Sequence, residues 1–111
     1  MILYVELWKP RASWRALPQG QRDAFVAGIG PAIGELTEAG VELVGFASND
    51  ADTEHRADYV YLAAWRMPTR ELALALERAV IDYGFHDHFE QVNARGEIAP
   101  PDVVLADMAK G

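Results

Sequence analysis

The chain has 111 residues, half of them hydrophobic, no cysteine and a formal charge of −7; this suits one domain, near the size where a partner subunit often completes the core, and excludes a disordered chain, a disulfide scaffold and a thiolate metal site. Ten Lys and Arg against 17 Asp and Glu repel a phosphate backbone, so nucleic acid is not an expected partner. No apolar run approaches the roughly 20 residues of a spanning helix and the start, Met1-Ile-Leu-Tyr-Val-Glu6, lacks a basic leader, so no membrane is expected and the cytoplasm is the default location.

Ile2 to Trp8 alternates as a strand does, with Leu3, Val5 and Leu7 on an aliphatic face and Tyr4, Glu6 and Trp8 on a mixed one. Pro10 ends it, and Ser13 or Pro18 can start a helix. From Gln21 to Ala39 the spacing of Phe25, Ile29, Ile33 and Leu36 is helical. Gly30-Pro31 predicts a kink there or two short helices in series, and Gly40 is a suitable C-terminal cap. Val41–Ser48 and Tyr59–Arg66 read as an antiparallel pair joined by the polar loop 49–58. Thr69 is a fitting N-cap for a second helix with the stripe Leu72, Leu76, Val80 and Tyr83, ending at Gly84 or running on to Phe89. Glu90–Arg95 is the fourth strand. Pro100-Pro101 opens a short helix, about 101–109, anchored by Val104, Leu105 and Met108.

Strand, helix, strand, strand, helix, strand is the ferredoxin-like α+β arrangement, a single domain with a four-stranded antiparallel sheet and two helices on one face. The aliphatic sets Leu3, Val5, Leu7 and Val60, Leu62, Ala64 are expected beneath the helices. Tyr4, Glu6, Trp8, Tyr59, Tyr61, Trp65, Asn93 and Arg95 are then expected on the open face, because Asn93 and Arg95 would be costly to bury without partners.

In topology, residues 2 to about 97 resemble the dimeric α/β-barrel superfamily, whose members pack two such sheets face to face around a pocket. The stretches Leu3–Arg11 and Phe85–Glu97 are also similar to a bacterial family of similar length and unassigned function. The superfamily includes relatives of the antibiotic-biosynthesis monooxygenases, small isomerases and cyclases, and haem-degrading enzymes. The resemblance implies a homodimer through the sheet face and a small-molecule pocket. Asn93, Trp65 and His86 are possible counterparts of the haem-degrading set, but they fall in a different chain order.

The densest polar run is Tyr83–Glu97, with His86-Asp87-His88 and the alternation Phe89, Gln91, Asn93, Arg95. His86 or Glu6 is the expected base, Asn93 and Arg95 the oxyanion holders, and Tyr4, Trp8, Tyr61, Trp65 and His88 the substrate contacts. Glu6 is expected either to have its pKa raised by burial or to pair with Arg95. His86 and His88 share a face only if extended and find no convincing third ligand, so no metal and no cofactor are expected. The reading is a cofactor-independent monooxygenase or isomerase/cyclase acting on an aromatic or polyketide-like molecule, with a non-catalytic binding or structural homodimer as the alternative.

Overall fold

The computed structural model describes residues 1–111. Strands β1 (Ile2–Pro10), β2 (Glu42–Ser48), β3 (Tyr61–Met67) and β4 (Phe89–Glu97) form one antiparallel sheet in the order β2-β3-β1-β4. Helices α1 (Ala12–Ala16), α2 (Gln19–Ala27) and α3 (Ile29–Glu38) fill the first crossover, and α4 (Arg70–Asp82) the second. Helix α5 (Pro101–Ala109) follows the last strand. No helix is long and apolar enough to cross a membrane.

The first long helix is interrupted at Gly28, two residues before the predicted break. Tyr83 donates its hydroxyl to the Phe25 carbonyl at the end of α2, and a β-carbon on Gly28 would collide with that same hydroxyl. Pro31 sits instead in the first turn of α3, where its missing N–H costs nothing. Thr69 caps α4 as expected, its hydroxyl accepting from the Leu72 amide at 3.2 Å. Of the two possible ends, α4 takes the one at Gly84, whose φ of 80° turns the chain into a 3₁₀ segment over Phe85–Asp87.

The strand sets alternate as read, but the sheet is turned over. Ile2, Tyr4, Glu6, Ala63, Trp65 and Met67 are the buried positions of β1 and β3, and all but Glu6 belong to one core cluster with Ala73 and Leu76 of α4. Leu3, Val5, Leu7, Leu62 and Ala64 lie on the uncovered face, where Leu3 and Val92 are each 43 % exposed. Large aromatic side chains bury about 150–250 Å² each, and on the helix side their polar tips find partners. The desolvation cost that argued for the open face is avoided as well, since Asn93 stays exposed and Arg95 pairs with Glu77. Strand β3 also starts two residues late: the Tyr59 carbonyl is taken by the Asn49 and Arg56 side chains, each at 2.9 Å. Tyr59 thus belongs to the loop, its ring 5.3 Å from Lys9 Nζ.

The Gly28–Tyr83 contact has a measurable consequence. Gly28→Ala is expected to cost about 1–3 kcal/mol of stability in urea denaturation through overpacking. Adding Tyr83→Phe removes the obstructing hydroxyl and should make the double variant less damaged than the sum of the two. Strict additivity would show that the hydroxyl does not set the break.

Candidate functional site

Between the sheet and the helices lies an apolar cavity of about 310 Å³ whose only charged lining residue is Glu6. The antiparallel register creates this setting. Residues two apart on β1 share a face, so Tyr4, Glu6 and Trp8 all point toward the helices. Across the ladder Glu6 faces Ala63 on one side and Asn93 on the other. The small Ala63 leaves room for the Trp65 ring, whose Nε1–H donates to Glu6 Oε1 at 2.5 Å. Gln91 donates from Nε2 to Glu6 Oε2 at 2.7 Å and, with the same nitrogen, to Asn93 Oδ1 at 2.7 Å.

Glu6 is only 6 % exposed. Burial raises its pKa above the ordinary value, against the opposing pull of the hydrogen bonds from Trp65 and Gln91. Gln91 Oε1 is itself buried and without a partner. Turning that amide over would present its oxygen to a protonated Glu6, so the same three side chains can accommodate either charge state.

The cavity wall is an aromatic network. Trp8 contacts Tyr61, Phe46 and Phe85 at ring-centre distances of 5.9, 5.4 and 6.1 Å, and Phe85 stacks on Phe89 at 4.5 Å. Trp14 of α1 closes on Phe89 at 4.7 Å, and Phe25 of α2 on Tyr83 at 4.8 Å. Faces of such rings, with one polar anchor, suit a flat apolar ligand.

Of the residues predicted for the site, Glu6, Trp8, Tyr61 and Trp65 line the cavity, whereas Tyr4, His86, His88, Asn93 and Arg95 do not. Tyr4 is fully buried in the core and donates to Glu77 Oε2 at 2.9 Å; burial first, then this bond, raises its pKa. Arg95 donates to the same oxygen at 3.0 Å, so its carboxylate partner is Glu77 of α4 and not Glu6. Burial alone would raise the Glu77 carboxyl, yet the bonds from Arg95 and Tyr4 hold it below the usual range. Arg95 is thereby taken up by Glu77, Asn93 accepts from Gln91 through Oδ1, and neither lies on the cavity wall where an oxyanion would be held.

His86 is exposed, and its carbonyl accepts from Arg11 Nε at 3.1 Å. His88 is half-buried, with Nδ1 3.2 Å from Ser13 Oγ and its ring packed on Trp14 and Phe25, off the cavity lining. The sharp turn at Gly84 separates both from Glu6. Sequence reasoning missed Trp14, Phe25, Phe46, Phe85, Phe89 and Gln91 as site residues. The signal for Gln91 was available, since it shares the alternation with Phe89 and Asn93; the helix aromatics carried no strand register to place them.

The same fold occurs in solved structures of low sequence identity. A variant of chlorite dismutase from Candidatus Nitrospira defluvii superposes with a TM-score of 0.69 at 20 % identity over 97 % of this chain; the match spans 44 % of that longer chain. A hypothetical protein of Arabidopsis thaliana matches in its solution structure with a TM-score of 0.56 at 8 % identity, covering 89 % of this chain and 88 % of that one. Its crystal structure matches with a TM-score of 0.59 at 9 % identity, over 90 % and 97 %. At such identities the likeness shows the ferredoxin-like fold alone. No curated protein matches the sequence. A family model does match, over residues 1–111, and the chain therefore belongs to the family of unknown function DUF6616.

Proposed function

We propose that the protein is a cytoplasmic, cofactor-independent acid–base enzyme whose substrate is a flat aromatic or polyketide-like molecule carrying a phenol or enol. The observation that supports this reading most directly is a 6 % exposed carboxylate forming part of the wall of an otherwise apolar cavity. A base in such a place is desolvated and its pKa raised, which strengthens it as an acceptor for the proton of a weak carbon or oxygen acid. Glu6 takes the phenolic or enolic proton; the substrate anion rearranges or closes a ring, and Glu6 returns the proton at another atom. Gln91, behind the carboxylate and off the cavity wall, holds Glu6 in place by donating to its Oε2. In the oxygenase version, akin to the antibiotic-biosynthesis monooxygenases, the same anion reacts with O2. The isomerase or cyclase version is favoured, because it needs only the one proton-transferring group the cavity has. The protein assembles as a homodimer through its aliphatic sheet face, in place of the aromatic face expected from the sequence.

The second reading, a non-catalytic binding protein, is favoured by one observation: His86, His88, Asn93 and Arg95 all lie off the cavity wall. A β-tetralone, a flat bicyclic ketone with enolisable protons, separates the two. If Glu6 is the base, the protein speeds deuterium exchange at the carbon next to the carbonyl, and Glu6→Gln lowers that rate by about 10²–10⁴-fold with little change in binding. Binding read from quenching of Trp8 and Trp65, without any exchange, leaves the carrier reading.

The titration of Glu6 also reaches stability. Its folded pKa lies above the ordinary 4.5, so the folded protein holds a proton that the unfolded chain has released. This stabilising contribution is complete below about pH 4.5 and is lost as pH rises through the folded value. Glu6→Gln, whose amide can donate to the reversed Gln91, should lack that loss. Urea denaturation from acid to neutral pH is expected to show the wild type falling relative to the variant. A constant difference between them would show that Glu6 has no raised pKa.

A further inference from the structure

A base that later returns its proton must be accommodated in two charge states without leaving its place. Of the two donors to Glu6, Trp65 is fixed in its role, because its Nε1 carries one hydrogen and the ring has no acceptor. Gln91 is not fixed, since an amide has a donor end and an acceptor end of nearly equal size. Its Nε2 donates to Glu6 Oε2 and to Asn93 Oδ1, each at 2.7 Å, while its Oε1 is buried with no partner. No hydrogen bond on the Oε1 side therefore resists a half-turn of the amide.

Such a half-turn keeps the hydrogen bonds equal in number. With Glu6 ionised there are three, from Trp65 to Oε1, from Gln91 to Oε2 and from Gln91 to Asn93. A proton on Oε2 would meet the Gln91 N–H, donor against donor. After the half-turn Gln91 Oε1 stands where Nε2 stood and accepts from the Glu6 O–H, and Asn93, turning in step, offers Nδ2 to the same oxygen. Asn93 is free to follow, because it is exposed and its side chain makes no other hydrogen bond. Strand β4 sets this up by register: Asn93 stands directly across the ladder from Glu6, and Gln91, two residues earlier, shares that face. The pair runs from the buried carboxylate to the surface at the sheet edge, and neither residue lines the cavity.

No other charged group lines the cavity with Glu6. Tyr4, on the same strand and face, keeps its proton, because burial and the bond to Glu77 raise its pKa. Glu77 of α4 and Arg95 of β4 are paired with each other. Tyr61 of β3 and Tyr83, which follows α4, are on the cavity wall, and α2 and α3 present only apolar side chains to it. The groups able to respond directly to a change of charge on Glu6 are thus its own hydrogen-bond partners.

We propose that Gln91 and Asn93 are positioning residues that form a coupled amide switch: the two side chains turn together when Glu6 gains or loses its proton, so that the carboxylate serves as base and then as acid without moving. The donor orientation supports the charged form and the turned orientation the neutral one. The switch acts from behind the carboxylate and never meets the substrate. Its part in the reaction rests on the acid–base reading of Glu6 given above, whereas the switch itself is tested without turnover.

NMR on the full chain follows the Glu6 carboxyl carbon, assigned by its loss in Glu6→Gln, together with the side-chain amide nitrogens of Gln91 and Asn93, as pH is varied. In the wild type both amides are expected to titrate with the midpoint of Glu6. In Gln91→Met, which removes the amide at similar length, the Glu6 midpoint should rise by about one pH unit, the loss of one hydrogen bond to the charged form, and the Asn93 response should fall several-fold. Amides in the wild type that ignore the Glu6 midpoint overturn the switch, and this arm decides the matter even if Gln91→Met does not fold. An unmoved Glu6 midpoint in the folded variant, or an Asn93 response of full size there, also overturns it. The pH midpoint of deuterium exchange into a β-tetralone should move with that of Glu6. If the amides titrate as expected and the wild type exchanges no deuterium, the switch stands and the enzymatic reading falls.

Discussion

The bond from the Trp65 indole to the Glu6 carboxylate, 2.5 Å long and sealed beneath the helices, governs the interior of this protein. A carboxylate out of water is tolerated only when its oxygens are hydrogen-bonded, and removing one partner of such a pair costs several times what the pair itself contributes. Trp65 holds one oxygen and Gln91 the other, from strands on opposite sides of β1. The arrangement therefore links β3, β1 and β4 through side chains as well as through the ladder.

A second polar knot does comparable work farther along the same face. Tyr4, Glu77 and Arg95 meet on one carboxylate oxygen, joining β1, α4 and β4. Arg95 and Glu77 are each partly exposed, at 26 and 30 % of their side chains, so solvent screens their charge and the pair counts as positioning more than as stability. Its effect on function is to take Arg95 out of the cavity's reach. What is left around Glu6 is neutral, and a neutral aromatic chamber with one carboxylate favours ligands that offer a hydroxyl and disfavours anions.

With the aromatic residues turned inward, the aliphatic residues are left outside. Leu3, Val92 and the expected anchors of α5, Val104, Leu105 and Met108, are exposed on a chain that carries a net charge of −7 elsewhere on its surface. Exposed aliphatic side chains on the sheet follow from which face the helices cover. The packing that builds the cavity on the helix side and the aliphatic face left uncovered are two outcomes of a single choice of face. Sheet faces meeting on the outside would leave each cavity within its own subunit, rather than enclosed between two.

The sequence by itself determined the element order, the N-cap at Thr69 and the period-two sets that keep Tyr4, Glu6 and Trp8 together, while the choice between Gly84 and Phe89 as the end of α4 was left to the structure. Those features depend on neighbours within a few residues, and local geometry dictates them. Which set lies under the helices was decided only by the tertiary structure. Parity sorts side chains into two groups and says nothing about which group meets the helices; that depends on partners far along the chain, Glu77 for Tyr4 and Trp65 for Glu6. The same holds for the site. Glu6, Trp8, Tyr61 and Trp65 were legible as members of one face, but the cavity wall includes Trp14 and Phe25, which belong to helices whose docking angle no strand pattern encodes. His86 and His88 stood out for their chemistry, yet after the left-handed Gly84 and the three-residue turn neither lines the cavity: His86 is exposed and His88 packs behind Trp14 and Phe25. A residue's chemical type is written in the sequence, but the side of a packed layer on which it does its work is set by the contacts that bury it.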